Sequence, residues 1–100
     1  MKQPVSAWLI NTRTHESHTL YDHDTRIGRD PENDVVLTDD KAISRNHAVI
    51  RHKRGAFVLI AQTAQVPITL NGIIVDGPQT LQNDDVIVLG ETPFRFVVSM

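Results

Sequence analysis

Cysteine is absent from this chain, which excludes disulfides and thiolate metal sites alike and is compatible with a cytoplasmic place. No apolar run approaches the roughly 20 residues that a membrane-spanning helix needs. Met1-Lys2-Gln3-Pro4-Val5-Ser6 carries one lysine but no long apolar stretch behind it, so no secretory signal is expected. Positive charge is not in excess either: the formal net charge is −2 and the pI about 6.2, which argues against a general nucleic-acid binder. Any anion site must therefore be local. Clean 3.6-residue periodicity is missing from every window of 11 or more residues, so helix amounts to a turn or two at most. Nothing is repeated or low in complexity.

What remains is a run of short apolar segments punctuated by turns. A hydrophobic share of 40% and a charged share of 22% are ordinary for a globular domain, and 100 residues suffice to bury one core without staples. Residues 1–100 are thus expected to form one domain, with its core at about 7–98, either whole or cut from a longer protein. Ala7–Ile10, His18–Tyr21, Asp24–Ile27 and Val35–Leu37 read as strands, as do Ala48–Arg51 and Ala56–Ile60. Ile68–Leu70, Ile73–Val75, Gln79–Leu81, Val86–Leu89 and Phe94–Val98 complete the set. Phe94, Phe96 and Val98 alternate with Arg95 and Val97, giving a strand with one buried face. The fold class is all-β, a sandwich or a barrel.

Three polar clusters fall at the ends of these segments, and a β-rich domain works through its loops. Gly28-Arg29 leaves a strand: glycine permits a tight departure, and arginine's planar fork matches phosphate oxygens in a way lysine cannot. Its plainer reading is a surface ion pair with Asp30 or Asp34. Ser44-Arg45-Asn46-His47 precedes a strand; the serine hydroxyl and nearby amides suit a second phosphate oxygen, and Arg45 adds charge. Ser44 with His47 also suggests a hydrolase, but no glycine elbow surrounds the serine and no helix follows. His47 reads better as a hydrogen-bonding pillar between loops. Asn71-Gly72, between two apolar runs, is a strong type I′ hairpin signal, and its asparagine is either a turn former or a ligand contact.

Two further groups read as structure. His15, His18 and His23 with Glu16, Asp22 and Asp24 lack the zinc-protease spacing and belong to a polar loop, so no metal or other cofactor is expected. Arg51-His52-Lys53-Arg54-Gly55 is a basic turn that protects an edge from aggregation.

Together the clusters resemble a forkhead-associated (FHA) domain. Ile27-Gly28-Arg29-Asp30-Pro31-Glu32-Asn33-Asp34-Val35-Val36-Leu37 is similar to the family's first signature, Ile43-Ser44-Arg45-Asn46-His47-Ala48-Val49-Ile50 to its second, and Leu70-Asn71-Gly72 to its third. The resemblance covers about residues 7–98 and implies a two-sheet antiparallel β-sandwich with functional loops at one end. It implies a non-enzymatic module for phosphothreonine peptides of a partner phosphorylated by an upstream serine/threonine kinase. By that resemblance Arg29, Ser44 and Arg45 hold the phosphate, Asn71 contacts the peptide backbone, and Gly28, His47 and Gly72 support the site. Many members carry an aspartate, a serine and an Asn-Gly-Thr segment ahead of the Asn-Gly pair, where this chain has Ala61, Ala64 and Val66-Pro67-Ile68. Thr69 does not replace that threonine, because adjacent strand residues face opposite ways. The altered stretch supports a second expectation, a phosphate-independent interaction or oligomerisation domain.

Overall fold

The computed structural model describes residues 6–63 and 65–99; Met1–Val5, where a secretory signal was not expected, Ala64 and Met100 lie outside them. The strands are β1 (Ser6–Asn11), β2 (Ser17–Leu20), β3 (Thr25–Gly28), β4 (Val35–Val36), β5 (Ala48–Lys53) and β6 (Ala56–Ala61). They continue with β7 (Ile68–Leu70), β8 (Ile73–Ile74), β9 (Gln79–Thr80), β10 (Val86–Leu89) and β11 (Thr92–Ser99). They form two sheets, one of six strands in the order β2-β1-β11-β10-β7-β8 and one of five in the order β4-β3-β5-β6-β9. All pairings are antiparallel except β3 with β4, which run parallel with Ile27 beside Val35. That pair sits within a two-sheet, mostly antiparallel sandwich, the fold class expected from the sequence. Its cause is the polar stretch after Gly28, which folds back to start β4 beside the strand it has just left.

Alternation along the strands decides what is buried. Leu9 and Ala7 of β1, Ile87 and Leu89 of β10, and Phe94 and Phe96 of β11 point inward from the larger sheet. Ile27, Ala48, Ile50, Phe57 and Leu59 meet them from the smaller one. Phe57 and Phe96 bridge the two layers, their centroids 5.4 Å apart and tilted by 57°. Two-residue turns with positive φ close the hairpins: Arg54 (53°) and Gly55 (79°) between β5 and β6, Asn71 (52°) and Gly72 (86°) between β7 and β8.

Strand polarity sorts the loops. Ala48 pairs with Ile27 and with Ala61, so the end of β3, the start of β5 and the end of β6 share one end of the sandwich. Ile68 pairs with Leu89, and Leu89 with Thr92, which brings the start of β7 and the β10–β11 turn to an end of the other sheet. The connection from Ala61 to Ile68 and the buried Asp40 join these two ends: Asp40 accepts from the Thr92 hydroxyl at 2.7 Å and the Glu91 amide at 2.8 Å. The Asn71 turn occupies the opposite end of β7, where Leu70 faces Ile87.

Candidate functional site

The site grows from the last residue of β3. Gly28 does not have a positive φ; a side chain is forbidden there by contact instead. A Cβ would stand 2.0 Å from the Arg45 carbonyl oxygen and 2.8 Å from Asn33 Nδ2. The segment 44–47 can therefore lie directly along the exit of β3. The Arg29 amide donates to the Ser44 carbonyl (3.0 Å), the Asp30 amide to the Arg45 carbonyl (3.2 Å), and the His47 amide to the Ile27 carbonyl (2.9 Å). Two sequence segments 15 residues apart are thus laced into one ledge.

On that ledge Arg29 and Arg45 line a single shallow pocket with Asp30 and Pro31. Arg29 Nε donates to the Ile43 carbonyl at 2.5 Å, which anchors the root of the guanidinium and leaves its two terminal amino groups without a protein acceptor among the described residues. Neither arginine takes part in an ion pair among the described residues, where Arg51 pairs with Asp24 and Arg95 with Asp84. The acids that seemed suited to neutralise Arg29 are engaged elsewhere: Asp30 Oδ1 accepts the Glu32 amide, and Asp34 Oδ2 accepts the Arg26 amide. Two guanidinium groups exposed together without counter-ions have the charge and the donor geometry that an anion receptor requires. Ser44 stands between them in the chain, half-buried, its hydroxyl making no hydrogen bond among the described residues.

His47 explains how the ledge keeps its shape. Its side chain is fully buried, and Nδ1 accepts the Ser44 amide at 2.9 Å, so the neutral ring carries its proton on Nε2. Its carbonyl accepts the Gln62 amide at 2.9 Å, tying in the β6–β7 connection. Burial pushes the His47 pKa below the ordinary histidine value, against the opposing pull of the Asp40 carboxylate and the Val66 backbone. Nε2 meets no acceptor in good geometry among the described residues, although the Val66 backbone is near enough to favour the charged ring. The nitrogen bound to Ser44 takes its amide rather than its hydroxyl, which is the geometry of a pillar and not of a nucleophile with its base.

Asn71 is not part of this surface, contrary to the expectation that it joins Arg29 and Ser44. It lies at the far end of β7, and its side chain is a brace: Nδ2 donates to Asp85 Oδ1 (3.0 Å) while Oδ1 accepts the Val86 amide (2.9 Å). Gly72 beside it supplies the second positive φ of the same turn and supports that hairpin, not the phosphate ledge. The residues at the site end of this chain segment are Val66 and Pro67, half-buried and exposed.

Two supporting residues escaped the sequence reading. Asn33 is buried and donates Nδ2 to the Arg45 carbonyl at 2.6 Å. Asp40 is buried at the base of the 38–47 loop. Burial would raise its pKa, but donation from the Thr92 hydroxyl and the Glu91 and Ala42 amides, with the Arg13 charge, lowers it overall. An amide or carboxylate this short within a polar run gives no signal until its partners are known. A larger cleft between the β1–β2 turn and residues 36–40 opens at the same end, lined by Arg13, Asp39 and Asp40 among others. Its acids make it unsuited to phosphate, so the shallow ledge is the candidate site.

The FHA domain family profile matches residues 25–90. Comparison with curated proteins gives no match. Among solved structures, Mycobacterium tuberculosis EmbR, in complex with a low-affinity phosphopeptide, superposes with a TM-score of 0.89 at 29% identity. That match covers 94% of this chain but 24% of EmbR, so the chain spans about a quarter of that protein. The FHA domain of CT664 from Chlamydia trachomatis follows at 0.83 and 25% identity, covering 92% of this chain and 96% of that one. The N-terminal FHA domain of S. cerevisiae Rad53p, solved with a phosphothreonine peptide, shares the fold at 0.83 with 19% identity, covering 94% of each chain. The matched range, residues 25–90, includes both arginines of the ledge and the glycine that lets it form, and the chain belongs to the FHA domain family.

Proposed function

We propose that this chain is a reversible, non-enzymatic recognition module for protein segments phosphorylated on threonine. Arg29 and Arg45 supply the charge, and the Ser44 hydroxyl a further phosphate contact. Gly28, His47, Asn33 and Asp40 hold these three in place. The observation that carries the reading is the pair of arginines sharing one pocket with no carboxylate partner among the described residues. A phosphothreonine brings about −1.5 to −2 charges and three strong acceptor oxygens. Arginine clusters are a recurrent answer to that chemistry. EmbR was solved with a phosphopeptide and Rad53p with a phosphothreonine peptide, which supports the same ligand class here. A partner marked by a serine/threonine kinase, a role in signalling and a cytoplasmic place follow from this reading. Nucleic acid is not the expected ligand.

A phosphate clamp with a few peptide contacts gives a Kd of about 1–100 μM, or roughly 5.5–8 kcal/mol. Calorimetric titration with phosphorylated and unphosphorylated forms of one peptide tests it. Equal affinity for the two forms overturns the proposal. A second reading is a phosphate-independent docking edge, favoured by Ile73 and Ile74 of β8, which are 74% and 63% exposed at the margin of the larger sheet. Sedimentation that shows a monomer, with binding strictly dependent on phosphate, counts against it.

A further inference from the structure

We propose that Asn71 is a site of spontaneous covalent modification, deamidating through the Gly72 nitrogen, and that the product unlocks the β7–β8 hairpin. The inference concerns the end of the sandwich away from the ledge and stands independently of the phosphate reading.

The reaction needs an asparagine followed by a backbone nitrogen that is free and uncrowded. Asn11 precedes Thr12, Asn33 precedes Asp34, Asn46 precedes His47 and Asn83 precedes Asp84; Asn71 alone precedes a glycine. Both Asn71 and Gly72 are exposed, and nothing lies within 4 Å of where a Gly72 Cβ would stand. The Gly72 amide donates no backbone hydrogen bond among the described residues. When that nitrogen attacks Asn71 Cγ, a cyclic imide forms: the new N–Cγ bond replaces the Cγ–Nδ2 bond, and Nδ2 leaves as ammonia with the proton of the Gly72 amide. Water then opens the ring at either carbonyl, leaving aspartate or isoaspartate at position 71. No oxidant or reductant takes part.

The brace around Asn71 governs both the rate and the consequence. In the closed hairpin Nδ2 donates to Asp85 Oδ1 at 3.0 Å and Oδ1 accepts the Val86 amide at 2.9 Å, which fixes the side chain on the start of β10. Cyclisation therefore proceeds from the open hairpin. Opening is easy there, because β8 is two residues long, pairs with β7 at the sheet margin and leaves Ile73 and Ile74 exposed. After the reaction a second carboxylate faces Asp85, whose Oδ2 is already engaged by the Gln82 amide at 2.7 Å. The donor that held Asp85 has become a like charge, beside a carboxylate that is half-buried. An attraction turns into a repulsion. The hairpin no longer closes as before, and β7 is left as the edge of the larger sheet.

The same contact supplies a control. Combining Asn71→Asp with Asp85→Asn exchanges amide and carboxylate across it, so that position 85 donates to position 71 and still accepts the Gln82 amide.

The test incubates the whole chain at mildly alkaline pH and follows its tryptic peptides by mass spectrometry. A gain of about 1 Da should accumulate at Asn71 at least about tenfold faster than at the exposed Asn46 and Asn83, whose following residues carry side chains. Asp85→Asn alone, which loosens the brace, should quicken the reaction severalfold as the open fraction rises. Asn71→Asp should lower the melting temperature by about 5–10 °C, and the double variant should recover roughly half of that loss or more. Equal rates at Asn71, Asn46 and Asn83 overturn the site. A rate untouched by Asp85→Asn overturns the brace as its gate. A double variant no more stable than Asn71→Asp overturns the contact with Asp85 as the lock.

Discussion

Gly28-Arg29 and Asn71-Gly72 look alike in the sequence, each a glycine beside a polar residue at the end of a short strand, yet they do opposite work. At the first, glycine is required because another backbone occupies the space of its side chain. At the second there is nothing within 4 Å of a Cβ, and glycine is required by its φ of 86°. The polar neighbours divide in the same way: Arg29 faces outward without a counter-ion among the described residues, whereas both polar atoms of the Asn71 side chain are bonded to Asp85 and Val86. A glycine held by contact marks where two segments meet. One held by torsion marks only where the chain turns.

Substitution should separate the two regions. Gly28→Ala has the largest expected effect, because neither the Arg45 carbonyl nor the β3 backbone can retreat. A loss of about 3 kcal/mol or more in denaturant unfolding is expected, together with loss of phosphopeptide binding. Gly72→Ala meets only the torsional penalty, about 1 kcal/mol, and should bind as before. Equal costs at the two glycines would break the contrast.

The neighbours give the next test. Arg29→Ala should lower phosphopeptide affinity at least about tenfold, a charge-assisted contact being worth roughly 1.5–3 kcal/mol, with the melting temperature nearly unchanged. Asn71→Ala should do the reverse, costing about 2 kcal/mol of stability through its two lost hydrogen bonds and the strained φ, with affinity retained. A stable Asn71→Ala protein that no longer binds would return Asn71 to the site.

Acidification is the smallest lever and acts on the ledge, since the Asn71 hairpin has no histidine. Burial depresses the His47 pKa, so between its folded value and the ordinary 6.5 the unfolded chain binds the extra proton. Stability is therefore full above about pH 6.5 and declines as the pH falls through the folded value. Asp40, also depressed, adds a contribution that is present above its ordinary 3.8 and lost below that, as its folded pKa is passed. NMR titration of the His47 ring checks the first step. A midpoint above 6.5 would mean that the ring gains its proton in the folded state and is no neutral pillar for Ser44.

Much of the fold was legible because burial in a sandwich follows a period of two: Phe94 and Phe96 point inward as their alternation with Arg95 and Val97 implies. The Arg54-Gly55 and Asn71-Gly72 turns were legible for an equally local reason, the need for positive φ. The parallel pairing of β3 with β4 was not, since it depends on a polar stretch folding back along its own strand. Within the site, Arg29, Ser44 and His47 were visible as residue types suited to phosphate, while Asn33 and Asp40 were hidden. Their roles are contacts with Arg45 and Thr92, which stand 12 and 52 residues further along.

The sequence by itself determined the strands, the turns, and that Gly28-Arg29 and Ser44-Arg45 bring residue types suited to an anion to strand ends, because those follow from local torsion, alternation and side-chain chemistry. Only the tertiary structure decided which clusters share a surface. Strand polarity carries Gly28 and Ser44 to one end of the sandwich and Asn71 to the other, and a strand's direction in a sheet is set by its partners, not by its own residues.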